Sequence, residues 1–334
     1  MSVEANGKSM FKTKITELLG IEFPIVCGTM MHLSRAEFVA AVSEAGALGI
    51  LASANYQDRE SFRQAIRDIR NQTSRPFAVN LNMFPARERL DNAIYIDVIL
   101  DEGVEIVETS GHKAPEEYIE RLKKGGVKLI HKCVGVRYAK KAESLGVDAI
   151  TVVGYENGGA TGRLDITTLC LVPRVVDSVK IPVIAGGGVT DGRGVMALLA
   201  LGAEGVIMGT RFLVADECPL HPKIKKALSS TTELDTMLVL RSVGNTHRVW
   251  KNKTSAMTAE MEARGAGLEE LFSIISGDQT KKMYFQGDPD AGLLPCGQGI
   301  GLVNDCKPVH VIILEILEEA RAARERLTER HPPA

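Results

Sequence analysis

The chain has 334 residues and a mass of 36.1 kDa, which fits either two average domains or one α/β barrel with an appendage. With 45% hydrophobic residues, 25% charged residues, 32 glycines and 13 prolines, it excludes collagen-like, coiled-coil and largely disordered chains. A balance of 40 basic against 42 acidic residues, net -2, gives no overall field for nucleic acid or an anionic membrane, so the expected partner is a small-molecule substrate.

The opening MSVEANGKSM lacks the apolar stretch of a secretory signal, which predicts a cytoplasmic protein. The longest apolar runs, such as residues 197–201 and 311–314, fall far short of the roughly 18 residues that cross a bilayer, so no membrane partner is expected. The 6 cysteines include no C-x-x-C pair, so free thiols are expected, with neither a disulfide framework nor a metal site. A homodimer is left open.

In chain order, short β-branched apolar runs recur, each followed by a helical stretch. They begin at Phe23, Leu48, Phe77, Ile106, Lys128, Ala149, Pro182 and Gly205, at spacings of 25, 29, 29, 22, 21, 33 and 23 residues. They do not alternate with polar residues, the mark of strands buried on both faces, and each spacing suits one strand, one helix and two short loops. This predicts an α/β fold, a TIM (β/α)8 barrel, with a doubly wound open sheet as the structural alternative. Ser34 with Glu37 reads as a capping box for the first helix, and Thr190 or Asp191 as the cap of the helix over 192–202.

After Phe212 the pattern turns helical over 217–277 and loop-like over 278–305, as expected of a lid. Residues 309–329 carry Ile312, Ile313, Ile316, Leu317, Ala320 and Leu327 against mixed charges, which predicts an amphipathic helix. The expected organisation is a barrel with a cofactor site over 11–216, a helical lid and substrate region over 217–305, and a C-terminal helix over 306–330 packing back on the barrel. The last four residues, HPPA, read as a frayed end.

Barrel active sites lie at the C-terminal ends of the strands. The seventh run ends in Gly186, Gly187 and Gly188, and the eighth in Met208, Gly209 and Thr210. Glycines let backbone N–H groups converge on a phosphate, and a following helix N-terminus adds positive potential. The bland reading is a pair of tight turns. The widest spacing holds GYENGGATGR at residues 154–163, where Tyr155, Glu156, Asn157 and Thr161 offer polar groups and Gly158 and Gly159 allow close approach to a flat ligand. A plain surface turn is the alternative.

Asn80 closes the third run and Lys132 the fifth. A lysine at the barrel mouth can stabilise charge that develops on a reduced cofactor, or simply pair with Glu108. His131 alternates with Lys132 and reads as structural. His32, in the first strand-to-helix loop, can face substrate, and His221 between prolines reads as a turn.

These residues together resemble the nitronate monooxygenase family of FMN-dependent barrels, including its bacterial NADH:quinone reductase branch, and more distantly the flavin-dependent enoyl reductases. The likeness spans about residues 11–325 and rests on residues 24–30, 77–80, 131–133, 186–188, 191–194 and 208–212, with Gly297-Gln298 late in the chain. It implies FMN at the barrel mouth, with its phosphate on Gly187, Gly188, Gly209 and Thr210. Its ring would meet backbone near Thr29 and Met30 and the side chains of Asn80 and Lys132. Gln298 would close over the ring, and Gly159, Gly186 and Met208 complete the cofactor set.

The family's strand-six loop carries a histidine beside the flavin, acting as base or hydrogen-bond donor, where this chain has Ala160. Lys132, Tyr155, Asn157 and His32 are therefore the catalytic candidates. The expected activity is oxidation of a small nitronate or similar carbon acid with O2. An NAD(P)H-dependent quinone or enoyl reductase is the close alternative, with NAD(P)H as co-substrate. A flavin-binding protein with little turnover is the alternative of another class.

Overall fold

A computed structural model describes residues 11–83, 91–111 and 114–330. The opening decapeptide and the expected frayed end at 331–334 lie outside the described residues.

All eight runs are strands. In chain order they are β1 (Ile25–Cys27), β2 (Gly49–Ala52), β3 (Phe77–Asn82), β4 (Ile106–Ser110), β5 (Lys128–Cys133), β6 (Ala149–Val153), β8 (Val183–Gly186) and β9 (Gly205–Met208), with a two-residue strand β7 (Gly159–Ala160) between the sixth and seventh runs. The eight form one sheet in the order β1-β9-β8-β6-β5-β4-β3-β2. β2 to β6 pair in parallel in sequence order. The two ends of that order also meet, through a parallel bridge between Val26 and Leu48. There Cys27 N–H donates to the Leu48 carbonyl at 3.0 Å and Leu48 N–H to that of Ile25 at 2.9 Å. The sheet is thus a nearly closed α/β TIM barrel, and the doubly wound alternative, whose edge strands stay apart, is excluded.

Burial explains why these runs became strands. Every residue of β1, β2, β6, β8 and β9 is buried, so no position needed a polar side chain. The helices between them follow the 3.6 period. Arg59–Gln72, for example, buries Phe62, Ala65, Ile66 and Ile69 and is capped by the Asp58 carboxylate, which accepts from Ser61 N–H at 2.8 Å. The Ser34 capping box does not form. Arg35 is the N-cap of Ala36–Glu44, and the Ser34 hydroxyl instead accepts from Met30 N–H at 2.9 Å, closing the first loop on itself. Asp191 does cap its helix, Gly192–Ala200, through Gly194 N–H at 2.9 Å.

The chain divides into two compact units. The first comprises the described residues of Met1–Val152, Val172–Ala185 and Leu198–Ile207 and contains nearly all of the barrel sheet. The second comprises the described residues of Val153–Leu171, Gly186–Ala197 and Met208–Ala334. It includes the turns that follow β6, β8 and β9.

Within the second unit the region expected to be mainly helical contains strands β10 (Thr236–Val239) and β11 (His247–Trp250), which join β7 in an antiparallel sheet ordered β10-β11-β7. Helices Lys253–Ala263 and Leu268–Ile275 close over it around Val239, Leu240, Val249, Leu271 and Leu293. The expected loop over 278–305 includes a π-helical turn at Lys282–Gln286 and a 3-10 turn at Gln298–Leu302. The final helix runs Val309–Arg330 and buries Ile312, Ile313, Ile316, Leu317 and Ala320, while Leu327 is exposed. It lies so close to Gly192 that a Cβ there would sit 2.3 Å from the Ala320 nitrogen.

Candidate active site

In the first unit, three side chains at or near strand ends converge on one carboxylate oxygen, that of Glu108. Oε2 of Glu108 accepts from Asn80 Nδ2 at 2.7 Å, Thr29 Oγ1 at 3.1 Å and Lys132 Nζ at 3.2 Å. Glu108 is 1% exposed, and its Oε1 is buried with no hydrogen-bond partner among the described residues. Lys132 keeps about a quarter of its side chain exposed, at 23%. The structure brings together Thr29, Asn80 and Lys132, all named from the sequence or the resemblance, whereas Glu108 was read only as a bland partner for Lys132. The signal was the single charge inside the buried run IVETS.

His131, next along β5, is buried and lies 2.9 Å from the Thr109 hydroxyl through Nδ1. Burial, helped by the neighbouring Lys132 charge, pushes its imidazole down to about 4. It is buried where Lys132 is partly exposed, as their alternation along the strand implied. Met30 N–H is taken up by Ser34, and its carbonyl accepts from Leu33 and Ser34 N–H. His32 adopts a left-handed φ of 65°, its N–H donating to Asn55 Oδ1 at 2.8 Å and its carbonyl accepting from Arg35 Nε at 3.0 Å.

In the second unit, three segments press together: 154–158, 186–190 and 297–299. Gly187 and Gly188 have φ of 108° and 75°. A Cβ on Gly187 would lie 2.6 Å from Thr168 Oγ1 and 2.9 Å from Gly154 N, and one on Gly299 would lie 2.7 Å from the Gly188 carbonyl. The glycines therefore serve close backbone approach between loops as well as the turn itself.

Glu156 fastens the three segments. Its carboxylate accepts from Thr168 N–H at 2.9 Å and from the Thr168 hydroxyl at 2.8 Å, while its carbonyl accepts from Gln298 N–H at 3.0 Å. Gly154 N–H donates to the Gly186 carbonyl at 3.0 Å. Gly209 follows the fully buried β9, which ends at Met208, and precedes the short helix Thr210–Leu213, where the Thr210 hydroxyl accepts from Gly297 N–H at 3.0 Å. Gly186, Gly187, Gly188 and Gln298 are thus brought together through Gly154, Glu156 and Thr168, none of which the sequence marked as a fastener.

Two catalytic candidates turn out to hold the strand-six loop. Asn157 Nδ2 donates to the Gly158 carbonyl at 2.7 Å. The Tyr155 carbonyl accepts from Arg248 Nε at 3.2 Å and Nη2 at 3.1 Å, and the guanidinium lies 4.5 Å from the Tyr155 ring centre. Arg248, 3% exposed, escaped the sequence reading because it lies on a four-residue strand. Gly159 and Ala160 form β7, with His247 opposite Ala160 and Arg248 opposite Gly159.

Among the described residues no group of three or more His, Cys, Asp or Glu is placed to hold a metal ion, and no helix is long and apolar enough to cross a membrane. A family model described as nitronate monooxygenase matches residues 12–319. The chain belongs to the nitronate monooxygenase family.

A (3aS,4S,5R,7aS)-5-hydroxy-7a-methyl-1-oxo-octahydro-1H-indene-4-carboxyl-CoA dehydrogenase from Rhodococcus jostii is 39% identical, covering 93% of this chain and 96% of that protein. A probable nitronate monooxygenase from Staphylococcus saprophyticus is 33% identical over 72% of this chain and 79% of its own length. The structure of FabK from Thermotoga maritima superposes with a TM-score of 0.88 at 35% identity, covering 96% of this chain and 99% of that one. This nitronate monooxygenase family member is therefore an oxidoreductase of a flavin-dependent group.

Proposed function

We propose that the chain is an FMN-dependent oxidoreductase that interconverts an acyl-CoA thioester and its 2,3-enoyl counterpart, with NAD(P)H as electron partner. The observation that carries the flavin reading is the glycine turn of the second unit, where Gly187 and Gly188 take left-handed φ values beside the Gly297–Gln298 turn. Such a turn suits a phosphate, and Gly187, Gly188, Gly209 and Thr210 would hold it. In the first unit, Glu108 carries a buried oxygen without a partner among the described residues and fixes Asn80, Thr29 and the partly exposed Lys132. Buried polar atoms call for partners, so this cluster suits the polar edge of a flavin ring.

When bound, the flavin supplies the two-electron chemistry. The chain's own residues hold and orient. Lys132 presents a cation tempered by Glu108, Asn80 is locked by the same carboxylate, and Arg248 and Asn157 keep the strand-six loop in one shape. The thioester reading is supported by the near full-length likeness to the carboxyl-CoA dehydrogenase.

Oxidation of a nitronate with O2 is the second reading. A nitronate is already an anion and needs no base, which suits the alanine at position 160. Anaerobic visible spectra of the purified protein separate the two. Bleaching by NADH or NADPH, with recolouring by crotonyl-CoA, is the expected result. Bleaching only by a nitronate would favour the second reading, and a protein that takes up no FMN would overturn both.

A further inference from the structure

We infer that Glu108 is a positioning residue that cancels the Lys132 charge at the barrel mouth and so sets the reduction potential of the bound flavin, an inference that rests on the reading above that this cluster meets the flavin ring. The reduced cofactor then gives up electrons more readily than it would beside an unpaired lysine.

The cluster lies on the inner face of the barrel. Asn80 is the register partner of Glu108, and Ser110 that of Lys132, so residues 80, 108, 110 and 132 share one face of the sheet. Thr29 follows β1, which is not a neighbour of β4 in the sheet, yet its hydroxyl reaches Glu108 Oε2 at 3.1 Å. Side chains from strands that are not adjacent meet across the interior, at the end of the barrel where active sites form. His131, the alternate residue of β5, turns the other way, toward Thr109.

The hydrogen bonds alone do not explain a carboxylate at this position. Asn80, Thr29 and Lys132 all donate to Oε2, while Oε1 is buried with no partner among the described residues. A neutral amide oxygen at position 108 could accept from the same three groups. What glutamate adds is a charge, which is costly to bury unless it is paired, and the ammonium 3.2 Å away is the charge it meets. Lys132 keeps 23% of its side chain exposed against 1% for Glu108, so the lysine is the member of the pair that a ligand at the mouth encounters. A lone cation stabilises a ring that gains electrons, whereas a cation paired with a carboxylate presents a dipole, whose effect is far smaller. His131, which burial keeps neutral down to about 4, adds no charge of its own at neutral pH.

The test is the midpoint potential of the FMN-loaded protein at neutral pH, read by equilibration with reference dyes, alongside its affinity for oxidised FMN. E108Q keeps an acceptor for Asn80 and Thr29 and removes the charge. It is expected to shift the two-electron equilibrium at least tenfold toward reduced flavin, a rise of about 30 mV, while affinity for oxidised FMN changes by no more than a few-fold. K132M is expected to move the potential the other way. The double variant E108Q/K132M is expected to return close to the wild-type value, because it carries neither charge, and damage to the fold would not produce such a return. An unchanged potential in E108Q, or a rise that survives in the double variant, overturns the assignment. Should E108Q fail to fold, a wild-type potential in K132M overturns it instead. A wild-type protein that takes up no FMN sinks the flavin reading itself, and this inference with it.

Discussion

His131 is 2% exposed on β5, and loss of hydration lowers its imidazole from 6.5 to about 4, with Lys132 adding to the effect and Glu108 opposing it. The unfolded chain takes up this proton below about 6.5, while the folded chain resists it until about 4. The stability contributed is therefore full above pH 6.5 and is lost as pH falls toward 4, and a displacement of this size is worth about 3 kcal/mol. H131N, which keeps a polar group near the Thr109 hydroxyl, should flatten that part of the profile. Urea unfolding at several pH values between 4 and 8 checks this. Parallel profiles for the two proteins would show that His131 does not carry the pH dependence.

Glu108 was harder to read at the same scale. A charge inside IVETS signals a buried partner, yet only the meeting of Thr29, Asn80 and Lys132 on one oxygen shows that it organises three strand ends at once. Those three residues are separated by about 50 positions each, and nothing in the chain's local pattern encodes such a junction.

At the scale of elements, the β-branched runs were legible because a parallel strand buried on both faces is apolar nearly throughout, as in VIAG of β8. TMLV and HRVW were not. Each is four residues long, and β11 pairs with the two-residue β7, itself a loop of glycine and alanine in the sequence. Local pattern also gave Ser34 as a cap, and tertiary contact overrode it through Met30.

The glycine turn after β8 gives the sharpest contrast between conformation and space. Gly146 has φ of 88° with nothing among the described residues within 4 Å of an added Cβ, so G146A should cost only the left-handed backbone, about 1–2 kcal/mol. Gly187 has φ of 108° and would also push Thr168 and Gly154 apart, so G187A should cost about 2–6 kcal/mol. It should also lower FMN content, which G146A should not. Thermal unfolding and the ratio of visible to ultraviolet absorbance measure both effects. Equal losses in the two variants would mean that the loops around Gly187 yield freely.

For the molecule as a whole, the barrel sheet belongs almost wholly to the first unit, whereas the turns after β6, β8 and β9 and the Gly297–Gln298 turn belong to the second. Folding thus brings together in the second unit glycine-rich segments more than 100 residues apart in the chain, and a ligand that needs that arrangement must stabilise it. A ligand at 100 times its dissociation constant adds about 2.7 kcal/mol to the free energy of unfolding when it binds only the folded state. FMN should therefore raise the urea midpoint of the flavin-free protein. Riboflavin, which carries the same ring without the phosphate, should do so far less at equal concentration. The difference isolates the contribution of the phosphate site to which the glycine turn belongs, because every contact to the ring is common to the two ligands. If riboflavin stabilises as strongly as FMN, the turn formed by Gly186, Gly187 and Gly188 does not hold a phosphate, and its left-handed glycines serve loop packing alone.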